Sequence, residues 1–274
     1  MREAVRAKRD GFLRKIGRDP VVMGILNVTP DSFFDGGRFA DPAAALTHAE
    51  KLVAAGCDIV DVGGESTRPG AAAVPTADEL ARVEPVLSVL AGRLHVPLSI
   101  DTSKAEIAAC ALRLGAIMVN DVWGLQRDAR LADVVAAAEA IIVIMHNRAS
   151  KDETIDILAD IRSFFDRSLG LARAAGIPER HVILDPGIGF AKTSRQNREA
   201  LARLAELKDY DLPIMVGVSR KAFLGSLTDG AEASLVGTLA ANLAAVAAGA
   251  SIFRVHDVAE HVAALKVFHT IRQP

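Results

Sequence analysis

The chain has 274 residues, half of them apolar and only 4% aromatic, with a formal net charge of −2. That is ample for a large aliphatic core, and it lacks the basic stripe that a nucleic-acid partner demands. Two isolated cysteines, Cys57 and Cys110, exclude a disulfide framework and a thiolate zinc site. No apolar run reaches the roughly 20 residues of a membrane span, and the N-terminus has no secretory apolar stretch, so a reducing, cytoplasmic setting is expected.

Residues 1–19 are rich in mixed charge (Arg2, Glu3, Arg6, Lys8, Arg9, Asp10) and predict a solvated helical arm ahead of one domain spanning 20–274. From there, short apolar runs alternate with longer segments of helical period. Strands are predicted at 21–26, 58–62, 97–101, 117–120, 140–145, 181–185, 213–217 and 251–255. Helices are predicted at 42–55, 77–92, 104–114, 128–138, 153–175, 195–208, 231–248 and 258–270. Gly56, Gly115, Gly176 and Gly249 stand where helices should end. Eight strand–helix units in this length predict an α/β fold, a single-domain (β/α)8 TIM barrel. An open doubly wound sheet is the alternative, but its glycine fingerprint is missing from the first turn.

The strand ends carry the chemistry. In order they bear Asn27, Asp61 with Glu65 and Thr67, Asp101, Asn120, His146, Asp185, Ser219 with Lys221, and Arg254 with His256. The strand beginnings carry no such load. Barrel enzymes gather their functional groups at the carboxyl ends of the strands, so these side chains should meet at one mouth. Single members have plainer readings: Asp101-Thr102-Ser103 could cap a helix, Asp185 could brace the following Pro186-Gly187 turn, and His146 could be structural. Two βα loops, 27–39 and 63–76, are long, polar and supplied with paired glycines, which marks them as binding loops.

Asp101, Asn120 and Asp185 are acceptors that suit a flat heterocycle rich in N–H donors, such as an amino-pyrimidine edge. Lys221 could donate to a ring carbonyl or nitrogen, or be held in an ion pair with Asp185. Arg254 can lie over a flat ring while its edge meets an anion. Arg254, His256 and Asn27 together form an anion subsite, and the Asn27 amide oxygen suits a hard cation such as Mg2+. No Ser-His-Asp or Cys-His arrangement is evident, which favours electrostatically assisted leaving-group departure over covalent catalysis.

These residues, in this order, resemble the dihydropteroate synthase family. The resemblance runs through Met23-Gly24-Ile25-Leu26-Asn27-Val28-Thr29-Pro30-Asp31-Ser32-Phe33, Gly64-Glu65-Ser66-Thr67-Arg68-Pro69-Gly70, Ser99-Ile100-Asp101-Thr102, Asn120-Asp121, Asp185-Pro186-Gly187-Ile188-Gly189-Phe190, Ser219-Arg220-Lys221 and Arg254-Val255-His256-Asp257-Val258. It implies condensation of 6-hydroxymethyl-7,8-dihydropterin diphosphate with 4-aminobenzoate by an SN1-like route. It further implies that Asp101, Asn120, Asp185 and Lys221 hold the pterin with Arg254 stacked on it. Asn27, Thr67, Arg254 and His256 would meet the diphosphate, with Asn27 also near Mg2+, and Phe33, Arg68, Pro69 and Ser219 would frame 4-aminobenzoate. The 4-aminobenzoate half of the site is expected to assemble only after diphosphate and Mg2+ bind. Phe34, Ala191 and Asn147-Arg148 depart from the family pattern. A corrinoid methyltransferase-like pterin barrel and a catalytically silent pterin-binding paralogue are the other readings. The small, apolar segment 231–248, together with family habit, implies a homodimer.

Overall fold

The computed structural model describes residues 3–29, 41–66, 74–225 and 233–272. Its strands are β1 (Val21–Asn27), β2 (Ile59–Gly63), β3 (Leu98–Asp101), β4 (Met118–Asp121), β5 (Ile141–Met145), β6 (Val182–Asp185), β7 (Met215–Val216) and β8 (Ile252–Val255). The helices are α1 (Glu3–Lys15), α2 (Pro42–Ala54), α3 (Thr76–Arg93), α4 (Ala105–Leu114), α5 (Leu131–Ala137), α6 (Ile157–Ala174), α7 (Ser194–Ala202), α8 (Ala222–Gly225), α9 (Ala233–Ala247) and α10 (Val258–Arg272). The eight strands form one parallel sheet in the order β6-β5-β4-β3-β2-β1-β8-β7, and a bridge between Leu184 and Ile214 brings its two edges together. The expected (β/α)8 barrel is therefore the fold.

Strand seven is shorter than its sequence suggests. Pro213 accepts a bond from the Leu184 N–H but has no N–H to return, so the pairing with β6 shrinks to the single Leu184–Ile214 bridge, while the ladder with β8 spans Met215 and Val216. The helix expected over 195–208 also divides, into α7 and a 3-10 turn at Leu204–Tyr210. Leu204 and Leu207 are both buried, and their spacing of three matches the period of that tighter turn.

Successive strand residues face opposite sides of a sheet. Val21 and Met23, Ile59, Met118, Ile141 and Val143, Ile183, Met215 and Ile252 pack together inside the barrel. Their neighbours, such as Val22, Leu26, Ile142, Ile144 and Leu184, pack outward under the helices. Advancing each strand by two residues from the inner set reaches the mouth. Asn27, Asp61, Asp101, Asn120, Asp185 and Arg254 all keep the inward parity. His146 does not; it follows the inward position Met145 and falls on the helix side.

The solvated N-terminal arm is corrected by the structure. Phe12 of α1 is buried with the inner strand cluster, and Val5, Leu13 and Ile16 pack against it. Arg9 Nη1 donates to the Glu139 carbonyl at 2.7 Å, and Lys15 pairs with Asp58, which also accepts from the Val22 N–H at 2.8 Å. The helix stops the amino end of the barrel because that end would otherwise expose the apolar inner layer. No helix among the described residues is long and apolar enough to cross a membrane.

Candidate active site

The floor of the mouth is built on Arg254. Its Nε meets Asp61 Oδ2 and its Nη2 meets Asp101 Oδ2, both at 2.7 Å. Asn120 Nδ2 also donates to Asp61 Oδ2, at 3.0 Å. Each partner thus spends one polar atom inside the protein. Asp61 Oδ1, Asp101 Oδ1 and Asn120 Oδ1 are buried and have no partner among the described residues. A buried acceptor left unmatched costs about 1–3 kcal/mol, so three in one place call for a donor-rich guest. Burial pushes Asp101 up to about 7, with Arg254 pulling the other way and Asp61 adding to the rise. Burial also opposes the Arg254 charge, but Asp61 and Asp101 outweigh it and raise its pKa.

Asp185 ends β6 at the opposite wall. Its Oδ1 accepts from the Gly187 N–H at 2.7 Å, while burial raises its pKa against that bond and the nearby Lys221 and Lys192. Glycine is required at 187: φ is +64°, and a Cβ would collide with the His146 carbonyl oxygen. Lys221 Nζ donates to the Ile188 carbonyl and lies 4.3 Å from the centroid of the Phe190 ring. Burial lowers its pKa to about 8, with Asp185 opposing. Lys221 is thus held by the turn rather than by a direct bond to Asp185, its head close to both ring and carboxylate.

Ala191, one of the departures from the family pattern, has φ of +42°. A side chain is disfavoured there, so Ala191→Gly should stabilise the protein by about 0.5–1 kcal/mol after glycine's greater unfolded freedom is deducted. Urea unfolding of the two proteins measures this; an unchanged or lower midpoint contradicts it.

The remaining wall joins the anion-type residues. Ser219 Oγ accepts from the His256 N–H at 3.2 Å and lies 3.0 Å from His256 Nδ1. Asn27 closes β1 in register with Gly63, where a Cβ would stand 3.7 Å from Asn27 Oδ1 and 3.5 Å from Asp101 Cβ. The glycine leaves the mouth open between those two side chains. Among the described residues no group of three His, Cys, Asp or Glu side chains could hold a metal by itself.

Not every strand-end group belongs to the mouth. His146 packs behind it, with Nε2 2.9 Å from Asp160 Oδ2 and its ring edge-on to Phe164. Glu65 turns to Lys104, whose Nζ also meets Glu79 Oε2 at 2.5 Å and the Val74 carbonyl at 2.7 Å. Phe33, Thr67, Arg68 and Pro69, with most of the two long loops and Phe34, lie outside the described residues. Asp61 is the floor residue whose weight the sequence understated; its inward parity with Ile59 was the available signal.

A family model for pterin binding enzymes matches residues 23–256. The dihydropteroate synthase of Clostridium beijerinckii is 41% identical over 92% of this chain and 94% of its own. The crystal structure of dihydropteroate synthase from Clostridium difficile in the presence of pteroic acid has a TM-score of 0.91 at 44% identity, covering 94% of this chain and 99% of that one. That of Xanthomonas albilineans with 4-aminobenzoic acid has a TM-score of 0.89 at 41% identity, covering 93% and 94%. The family match places this parallel barrel, whose mouth is floored by Asp61, Asp101 and Asn120 around Arg254, among the pterin binding enzymes. Within those enzymes the chain belongs to the dihydropteroate synthase family.

Proposed function

We propose that this barrel condenses 6-hydroxymethyl-7,8-dihydropterin diphosphate with 4-aminobenzoate, forming 7,8-dihydropteroate and releasing diphosphate. The observation that carries the reading is the set of buried acceptors on Asp61, Asp101 and Asn120 with no partner among the described residues. An amino-pyrimidine offers adjacent N–H donors of the kind such a floor lacks. Asp101, Asn120, Asp185 and Lys221 would hold the pterin, with Arg254 along its face. Asn27, Arg254, His256 and Thr67 would receive the diphosphate. Ser219, Phe33, Arg68 and Pro69 would frame 4-aminobenzoate.

The reaction then needs no nucleophile from the protein. The bond between the pterin methylene carbon and the diphosphate oxygen breaks, and its electron pair leaves with diphosphate. Positive charge spreads from the methylene into the ring, where the Asp101 and Asp185 carboxylates would stabilise it. The arylamine nitrogen bonds to that carbon and loses one proton. The contact between Ser219 and His256 supports this order, since it sets the arylamine side beside the leaving-group side. Mg2+ belongs to the same proposal: Asn27 would give one oxygen ligand, the diphosphate others, and the ion would offset phosphate charge. His256 and Arg254 would orient the diphosphate.

The direct test mixes the protein with both substrates and Mg2+ and looks for dihydropteroate and diphosphate. Pterin binding without turnover would indicate a silent paralogue instead. Asp185→Asn should weaken a non-reactive pterin by about tenfold or more, because a donor would then face a donor; unchanged affinity by calorimetry in a folded variant counts against the assignment. Cytoplasmic homodimers complete the proposal. Val236 on α9 and Val267 and Ile271 on α10 are exposed apolar side chains on packed neighbouring helices, and sedimentation that finds only monomer contradicts a dimer.

A further inference from the structure

Lys192 is buried to 2% exposure, yet it contributes nothing directly to the floor. Its Nζ lies 2.7 Å from His146 Nδ1, 2.8 Å from the Gly187 carbonyl and 3.3 Å from the Phe190 carbonyl. An ammonium has three N–H donors and no acceptor, so these three acceptors match it one for one. Asp160, held ionised, can only accept, so His146 Nε2, 2.9 Å from its Oδ2, carries the imidazole proton, and burial keeps the ring neutral, which leaves Nδ1 as a lone-pair acceptor for Lys192. Arg148 Nη1 stands 3.4 Å from the same Asp160 oxygen. A line of polar groups thus runs from α6 through the end of β5 to the residue before the Thr193 capping box of α7.

That line ends on the turn that shapes the pocket. Gly187 gives its N–H to Asp185 and its carbonyl to Lys192, so one peptide segment couples the buried cation to the carboxylate. Asn197 Oδ1 accepts from the Gly189 N–H at 2.6 Å and pins the turn's middle. Phe190, whose carbonyl Lys192 also holds, sets its ring against Lys221. Burying an ammonium costs several kcal/mol unless its geometry is well met, so a plain packing role would be filled better by an apolar side chain. The charged groups facing Lys192 are Asp185, Asp160, Lys221 and Arg148; burial, the largest influence, lowers its pKa to about 7.

We propose that Lys192 is a positioning residue for pterin recognition, gripping Gly187 and Phe190 from behind so that the Asp185 carboxylate and the Phe190 ring are held in their working orientations. The inference rests on the pterin reading of the mouth. The test compares wild type, Lys192→Met, Asp185→Asn and the double variant in calorimetric titrations with 6-hydroxymethylpterin, alongside urea unfolding and the KM for 4-aminobenzoate. Lys192→Met should lose about tenfold or more in pterin affinity while the 4-aminobenzoate KM stays within about twofold. Its effect should shrink to under about threefold once Asp185 is already Asn, because both act through one carboxylate. Pterin affinity within twofold of wild type in folded Lys192→Met, or full additivity in the double variant, overturns the role. No pterin binding by wild type overturns the functional reading itself. Should Lys192→Met not fold, 15N NMR of the His146 ring in wild type decides: a proton on Nε2 and none on Nδ1 supports the ammonium seat, and the reverse overturns it.

Discussion

Replacing Asp61 with alanine is expected to destabilise the protein by about 3–5 kcal/mol, the range for removing one partner of a buried ion pair. Asp61 is wholly enclosed and accepts from both Arg254 Nε and Asn120 Nδ2 through one oxygen. Its loss would leave a guanidinium N–H and an amide N–H unmatched at the same spot. Asp101 still holds Arg254 Nη2, so the guanidinium should swing toward it and spoil the floor for pterin as well. Asp61→Asn should do less harm, because it retains a carbonyl oxygen in place of the accepting carboxylate oxygen. Urea unfolding is the measurement. A midpoint for Asp61→Ala equal to that of wild type would mean that the buried pair contributes little net stability.

Phe12→Ala should cost a similar amount, about 3–5 kcal/mol, for a different reason. The phenyl ring belongs to the apolar cluster at the amino end of the barrel, with Val21 and Ile183 of the strands and Ile117 just ahead of β4. Alanine would leave a cavity that a barrel of paired strands cannot close by sliding together. Because α1 sits at the end opposite the mouth, pterin affinity of the folded variant should be unchanged. A variant that keeps its stability, or one that stays folded but loses pterin, would show that the helix does not act as an inert stopper.

Most of the barrel could be read from the sequence because two local rules dominate it. Apolar runs of five or so residues alternate with helical periods, and inward parity then sorts each strand's side chains without tertiary information. Asp101, Asn120, Asp185 and Arg254 follow from that sorting. The same rule, applied strictly, removes His146 from the mouth, since it stands one residue beyond inward-facing Met145. Lys192 left no such trace. Its partners are two carbonyls and an imidazole, brought together only when β5, β6 and α7 pack, and carbonyls have no signature in a sequence. The plug role of α1 was masked by charge: Arg9 and Lys15 look solvated until their partners Glu139 and Asp58 come into place. Strand seven is shorter than its apolar run because Pro213, which reads as the start of that run, has no N–H for the β6 side.

The arginine of the floor also has a consequence for how the polypeptide is made. Arg254 lies 193 residues after Asp61 and 153 after Asp101. During synthesis the two carboxylates leave the ribosome long before their counter-charge, which sits on the last strand. A nascent chain lacking β8 would have to bring Asp61 and Asp101 together with no cation between them, and their repulsion opposes bringing β2 and β3 into register. β8 pairs with β1 on one side and β7 on the other, so the strand that supplies the guanidinium also joins those two neighbours. The charge that joins Asp61 to Asp101 is therefore the last of the three to be synthesised, and it arrives on the strand that links β1 to β7.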